Sequence, residues 1–499
     1  MITRYLTIAT LLFCGSLCAT AQDNLIEEQL EEQFIEIKDD LRDIVHTIGK
    51  PSSPSKVRQL SELGDTVVNY EDRIINMPDY FYEFIDQYKV AAQKVFNGEI
   101  SWLSDPTDLT TGAEYSGGAY IYPLHTEVGT TDFTFPIGSN SDAIKQAARD
   151  AAQPYIDQAL DSLKSFLPYA YLCVNFDHPE VFWIGNAFNY GIGSGISISG
   201  NPSTGQGTAT YTLRYRFILR ASGFDIRCNG YPGYDYRSPA NIAKGVQLFN
   251  SSVQNILEQC QSDSKRKRLL KMYDWLTHHN SYNRYYASGS GRNDIGDTPW
   301  TPISALEGNT SYQAPVCEGY ARAMKVLCDR IGIPCILMAG DGCATPTSNP
   351  IGHMWNYVQM EDGNWYAIDA TWDDPYIGNL NKAVSGYESH NWFLLGSTVE
   401  VAEDWTFLDS HPEQWANSYK NEGSFSWEFR SGPVLSPLSW VSPDPYDPNG
   451  NGNTDLEDIQ LMAEKIANNN DDIEDVDGND RITIGDLVRL INRYISLSE

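Results

Sequence analysis

Residues 353–372, HMWNYVQMEDGNWYAIDATW, carry the most legible local pattern in the chain. Two runs rich in aromatic and apolar residues flank Glu361-Asp362-Gly363. The spacing predicts a β-hairpin with a three-residue loop and glycine at its left-handed position. That loop pairs Met360 with Asn364, Trp355 with Asp369 and His353 with Thr371. Alternation puts His353, Trp355 and Asp369 on one face. His353 and Asp369 become diagonal neighbours, roughly 7–8 Å apart at the backbone, close enough for a carboxylate to hydrogen-bond an imidazole. A two-residue Asp-Gly turn would shift the register and put them on opposite faces.

Upstream lies APVCEGYARAMKVLCDRIGIP, residues 314–334. Pro315 suits a helix start, and Gly332 followed by Pro334 suits its stop. Tyr320, Met324, Leu327 and Ile331 recur on one face, so Cys317 falls in the first turn. There the helix dipole favours an anion, and the thiolate is the nucleophilic form of cysteine. The three residue types fit complementary roles. Cys317 is the expected nucleophile, His353 the base or imidazolium partner, and Asp369 the group that fixes the ring. The Cys317 backbone N–H is a natural oxyanion donor, with Tyr282, Tyr312 and Gln313 as side-chain alternatives.

These segments resemble the transglutaminase-like superfamily, papain-related enzymes with a Cys…His…Asp order. VCEGYARAMKVLCDRIGIPC is similar to its nucleophile helix. GHMWNYVQMEDGNWYAIDATWDDP is similar to its His and Asp strands and the Trp-Asp-x-Pro signature after them. MYDWLTHHNSYN resembles the lead-in helix and NWFLLG a following strand, so the resemblance covers about residues 265–400. It departs at His353-Met354-Trp355, where many members have His-Ala-Trp; Met354 falls on the other face. The resemblance implies a papain-like fold and acyl transfer from a peptide or glutamine amide through a Cys317 thioester. Hydrolysis by a protease or amidase is the favoured outcome. Crosslinking to an amine and a non-catalytic protein-binding role are the alternatives.

A second pattern closes the chain. DPNGNGNTDLED (447–458) and DVDGNDRITIGD (475–486) each fit the twelve-residue calcium loop. Asp447, Asn449, Asn451, Asp455 and Asp458 offer side-chain oxygens in the first, with the Asn453 carbonyl. Asp475, Asp477, Asn479, Thr483 and Asp486 do so in the second, with the Arg481 carbonyl. Gly452 makes the sharp turn in the first loop, and Asp480 replaces it in the second. A helix is expected after each loop, with stripes Leu456, Ile459, Met462, Ile466 and Ile484, Leu487, Ile491, Tyr494. Paired loop–helix units closing at Asp resemble a dockerin, which implies two calcium ions and a cohesin module of a scaffold protein as partner.

Composition sets the frame. The net charge of −31 opposes contact with phosphate backbones, so no nucleic-acid partner is expected. Arg4, the short apolar run after it and Ala19-Thr20-Ala21 read as a signal peptide. No later run is long enough to span a membrane. Seven cysteines follow the signal, and an odd count suits one free reactive thiol, Cys317. Periodicity predicts helices over 25–48, 79–97 and 141–167, strands and loops over 101–138, and strand-like sequence over 169–220. The expected plan is α+β: signal peptide 1–21; a mixed α and β region of unknown role, 22–260; a papain-like transglutaminase core, 261–430; a Pro/Ser linker, 431–446; and a small all-α calcium-binding dockerin, 447–499. The expectation is a secreted, surface-docked enzyme acting on protein or peptide, with no organic cofactor.

Overall fold

The computed structural model describes residues 26–40, 68–97, 114–116, 119–183, 187–219, 239–262, 265–284, 298–308, 313–343, 345–374, 389–413, 418–422, 425–440, 446–448, 453–467, 476 and 483–498. The signal segment lies outside these residues.

The first element is strand β1 (Ile26–Asp40), where a helix was expected. Its apolar spacing mimics a helical period because a bulge interrupts the alternation. The register shift between Leu30 and Gln33 sets Leu30, Ile35 and Ile37 opposite Ile196, Ile192 and Tyr190. A short strand, β2 (Ile74–Ile75), precedes helix α1 (Asp79–Phe96). Strands β3 (Glu114–Ser116) and β4 (Ala119–Thr134) follow, then helix α2 (Ser141–Asp177), capped by Asn140 accepting from the Ala143 N–H. Helix α2 runs ten residues beyond the expected 167. Tyr169 to Val174 are all buried, and a helix covered on every side shows no periodicity to separate it from a strand. Strands β5 (Ala187–Asn201) and β6 (Gln206–Leu219) complete an antiparallel sheet of order β1-β5-β6-β4-β3. In β6 the alternate residues Ala209, Tyr211, Leu213, Tyr215 and Phe217 are buried, and α2 packs against this sheet.

Helices α3 (Pro239–Gln259), α4 (Lys265–His279) and α5 (Pro302–Leu306) lead to α6 (Cys317–Arg330). A four-stranded antiparallel sheet follows, built from β7 (Cys335–Gly342), β8 (Ile351–Gln359), β9 (Trp365–Ile368) and β10 (Phe393–Leu395) in order β10-β9-β8-β7. The β8–β9 hairpin has the expected loop. Gly363 has φ +79°, the Met360 N–H donates to the Asn364 carbonyl at 3.0 Å, and Asn356 faces Ile368. The ladder stops there, so Trp355–Asp369 and His353–Thr371 are not strand pairs. Asp369 instead caps a short helix, α7 (Ala370–Asp373). Helix α8 (Phe407–Ser410), held by a Thr406–Asp409 capping box, and strands β13 (Ser418–Glu422) and β14 (Phe425–Phe429) follow, after the two short strands β11 (Glu400–Ala402) and β12 (Trp405–Thr406).

The N-terminal half and this second sheet share a packed interior. Strand β14 pairs with β2, and Asp177 at the end of α2 accepts from the Tyr70 and Glu71 N–H groups at 2.6 and 3.0 Å. Fully buried Arg73 meets Glu413 at 3.0 Å, donates to the Arg430 carbonyl at 3.1 Å and lies over the rings of Tyr70 and Phe429. The first part of the Pro/Ser-rich segment is docked: Ser436 N–H donates to the Trp365 carbonyl and Trp440 N–H to the Leu394 carbonyl.

Helices α9 (Leu456–Ala467) and α10 (Ile484–Ser498) pack through Met462 and Leu490, with Ile459, Ile466 and Leu487 around them. Leu456 and Ile484, expected in the apolar stripes, are exposed, and Leu490 takes the central place instead. Both exposed residues open their helices, where no preceding turn covers them.

Candidate active site

Three elements converge on one point. Helix α6 begins at Cys317, with Val316 as its cap residue and the Val316 N–H donating to the Pro299 carbonyl at 3.0 Å. Gly319 lets this turn press close: a Cβ there would stand 2.6 Å from the Pro299 carbonyl oxygen and 2.7 Å from Ser304 Oγ. Strand β8 carries His353 and is tied to α6 by Asn356, which donates to the Ala321 carbonyl at 2.9 Å. Cys317 is half-buried, while His353 and Asp369 are buried.

His353 Nε2 lies 2.7 Å from Asp369 Oδ2. Cys317 is a further neighbour that favours the charged ring. Trp372 stacks on the imidazole at 5.2 Å and Trp355 at 6.0 Å. Asp369 Oδ1 accepts from the Thr371 and Trp372 N–H groups at 2.9 and 3.3 Å, so capping α7 also orients the carboxylate. Its Oδ2 has a second partner that sequence reasoning missed, His411 Nε2 at 3.1 Å.

Burial disfavours the charged His353 ring, but Asp369 and then Cys317 outweigh it and push the imidazole up to about 10. Burial likewise opposes the Asp369 charge. His353, followed by His411, holds that carboxyl well below the usual range. His411 is lowered, chiefly by burial, despite Asp369. Burial, with the nearby Cys317 and Asp369 charges, raises the Tyr282 phenol far above its ordinary range. Tyr282 therefore stays protonated beside the thiol. Of the other side-chain donors considered, Gln313 is half-buried and Tyr312 lies outside the described residues.

The two acids after Trp372 brace the site from behind. Asp373 accepts from Tyr273 on α4, from Ser389 and from the Trp392 N–H; Asp374 accepts from Tyr320 on α6. His411 had no findable signal, because DSHPEQW has no period or spacing that relates it to residue 369. The six described cysteines are free thiols, and Cys317 alone among them is not fully buried. Donor atoms of His353, Asp369 and His411 lie within 4.8 Å of one another, and their mutual hydrogen bonds account for that cluster.

In the tail, Asp447, Asn453, Asp455, Asp458, Thr483 and Asp486 are described; Asn449, Asn451, Asp475, Asp477, Asn479 and Arg481 lie outside the described residues. Asp447, Asp458 and Asp486 are buried. Asp458 Oδ2 accepts from the Asp455 N–H at 2.8 Å, and Asp486 Oδ2 from the Thr483 N–H at 2.7 Å. Among the described residues no helix is long and apolar enough to cross a membrane.

The family model of the Transglutaminase-like superfamily matches residues 251–370, so the chain carries a transglutaminase-like domain. That match contains Cys317, His353 and Asp369. A solved structure titled "Crystal structure of a TGase" is similar at 14% identity, with a TM-score of 0.23 over 46% of this chain and 53% of that one. The chain thus spans about half the length of that neighbour. A comparison with curated proteins finds no match.

Proposed function

We propose that the chain is an exported cysteine hydrolase, a protease or amidase that cleaves protein substrates through a Cys317 thioester. The observation that carries this reading is the half-buried Cys317 at the start of α6, a neighbour that favours the charged form of an imidazole which Asp369 holds at 2.7 Å. In this reading the Cys317 sulfur attacks the amide carbonyl and His353 gives its proton to the departing amine. The Cys317 N–H and the Tyr282 hydroxyl face the developing oxyanion. Water then attacks the thioester, with His353 accepting its proton, and the acid leaves. An amine in place of water gives a crosslink instead.

The test uses the mature chain, a mixed protein substrate and a tagged primary amine, read by mass spectrometry. New termini lost in Cys317→Ala support hydrolysis. Tagged adducts lost in the same variant would replace it with amine transfer. Identical, unmodified spectra for both proteins across several substrate mixtures would sink the catalytic reading and favour a protein-binding role.

The tail is proposed as a calcium-binding dockerin that tethers the enzyme to a cohesin on a scaffold or cell surface. Asp447, Asn449, Asn451, Asn453, Asp455 and Asp458 would hold one ion, and Asp475, Asp477, Asn479, Arg481, Thr483 and Asp486 the other. The fit rests on donor chemistry: oxygen-only sets, with carboxylates buried at the loop ends, where a hard cation offsets the cost of burying charge. A bound ion would crosslink each loop to its helix. Removing calcium with a chelator should therefore expose residues 447–499 to proteolysis while the preceding body stays resistant. A digestion pattern unchanged by chelation would remove the calcium assignment.

A further inference from the structure

We propose that His411 is a positioning residue for the Cys317–His353 pair: its Nε2–H donates to Asp369 Oδ2 and locks the carboxylate that orients His353. This rests on the catalytic reading above.

An ionised carboxylate offers about four acceptor positions. Asp369 meets four donors: the Thr371 and Trp372 N–H groups on Oδ1, and His353 and His411 on Oδ2. With both oxygens fully engaged the carboxylate cannot rotate away from His353. Removing His411 leaves a buried acceptor position empty on the oxygen that His353 uses, which weakens both the charge and its aim.

Asp369 only accepts when ionised, so a neutral His411 must carry its proton on Nε2. Nδ1 is then an acceptor, and Ser410 Oγ lies 2.8 Å from it. The Ser410 hydroxyl also lies 2.8 Å from the Phe407 carbonyl, and its single proton serves one acceptor at a time. A charged His411 would compete with His353 for the same carboxylate, with the two rings only 5.4 Å apart. Burial works against this: His411 is fully buried, which disfavours its charged form despite Asp369.

The surroundings of the His411 ring are aromatic. Phe407 stacks on the ring at 4.5 Å, and Trp372, Trp355 and Trp392 stand at 4.5, 4.9 and 5.1 Å. An apolar side chain would fill such a pocket at no desolvation cost, so a histidine there is explained by its hydrogen bonds. The titratable side chains facing it are Asp369 and His353. Beside it, β7 contributes backbone: the Asp341 N–H donates to the Pro412 carbonyl and the Cys343 N–H to the Ser410 carbonyl.

The test is alkylation of Cys317 by iodoacetamide in the full chain, followed from pH 4 to 9 by peptide mass spectrometry. His411→Phe keeps the stacking and removes the donor; His411→Gln restores an amide donor. With a donor lost, Asp369 takes up a proton at higher pH and His353 loses its counter-charge. The acid limb of the profile should therefore move to higher pH in the Phe variant, with Cys317 reacting roughly tenfold more slowly near pH 5. The Gln variant should recover most of the rate. A merely structural residue would lower thermal stability without moving that limb. A folded Phe variant with a wild-type profile overturns the proposal and leaves the catalytic reading intact. Wild-type Cys317 inert at every pH overturns both. Should neither variant fold, side-chain 15N NMR of the wild type decides: a neutral Nε2–H His411 supports the proposal, and an Nδ1–H or charged ring refutes it.

Discussion

Changing Asp369 to Asn should slow turnover about 10⁴-fold, because the amide can hold the imidazole in the wrong tautomer and cannot stabilise its charge. The loss should fall on kcat more than on KM, since Asp369 is buried behind His353 and does not face substrate. The variant should also lose the wild type's pH signature. His353 is raised to about 10 from 6.5, so its share of stability is complete below pH 6.5 and vanishes as pH rises through about 10. Asp369 is depressed below 3.8, so its share is complete above pH 3.8 and is lost as pH falls through the depressed value. The pair therefore stabilises fully between 3.8 and 6.5. In the Asn variant only Cys317 still opposes burial at His353, so the charged ring loses its largest support and this plateau should flatten. Thermal melts across pH, with rates on the substrate found by the mass-spectrometric assay, check both effects. An Asn variant within tenfold of wild type would remove Asp369 from the mechanism.

Arg73→Ala should destabilise the protein by on the order of 3–5 kcal/mol, the usual result of breaking a buried ion pair from one side. The guanidinium is fully buried between Tyr70 and Phe429 and satisfies both Glu413 and the Arg430 carbonyl. Its loss leaves Glu413 with less compensation at the junction where β2 meets β14. Glu413 also accepts from the Gly432 N–H and lies two residues from His411, so loosening should spread toward the site. Denaturant melts measure the cost. A change below about 1 kcal/mol, the range of a solvated surface pair, would show that the junction is not buried as described.

Some of this architecture is written in short-range chemistry. A helix with Cys317 in its first turn follows from Pro315, the apolar face and Gly332, and the chain folds that way. The Glu361-Asp362-Gly363 loop sets the hairpin register, since glycine alone takes φ +79° without strain, and the observed register agrees. Local pattern misled where long-range pairing reassigns it. Residues 26–40 show helix-like spacing, but a bulge and a partner strand 147 to 174 positions away make them β. Residues 169–177 look strand-like because that stretch of the helix is buried almost throughout.

The nucleophile helix and the hairpin are contiguous segments, so local turn and capping preferences suffice to specify them. His411 against Asp369, Asp373 against Tyr273 and Arg73 against Glu413 join residues 42, 100 and 340 positions apart. No local preference relates such pairs. They form because the collapsed chain must find a partner for each polar group it buries, and that partner is chosen by packing.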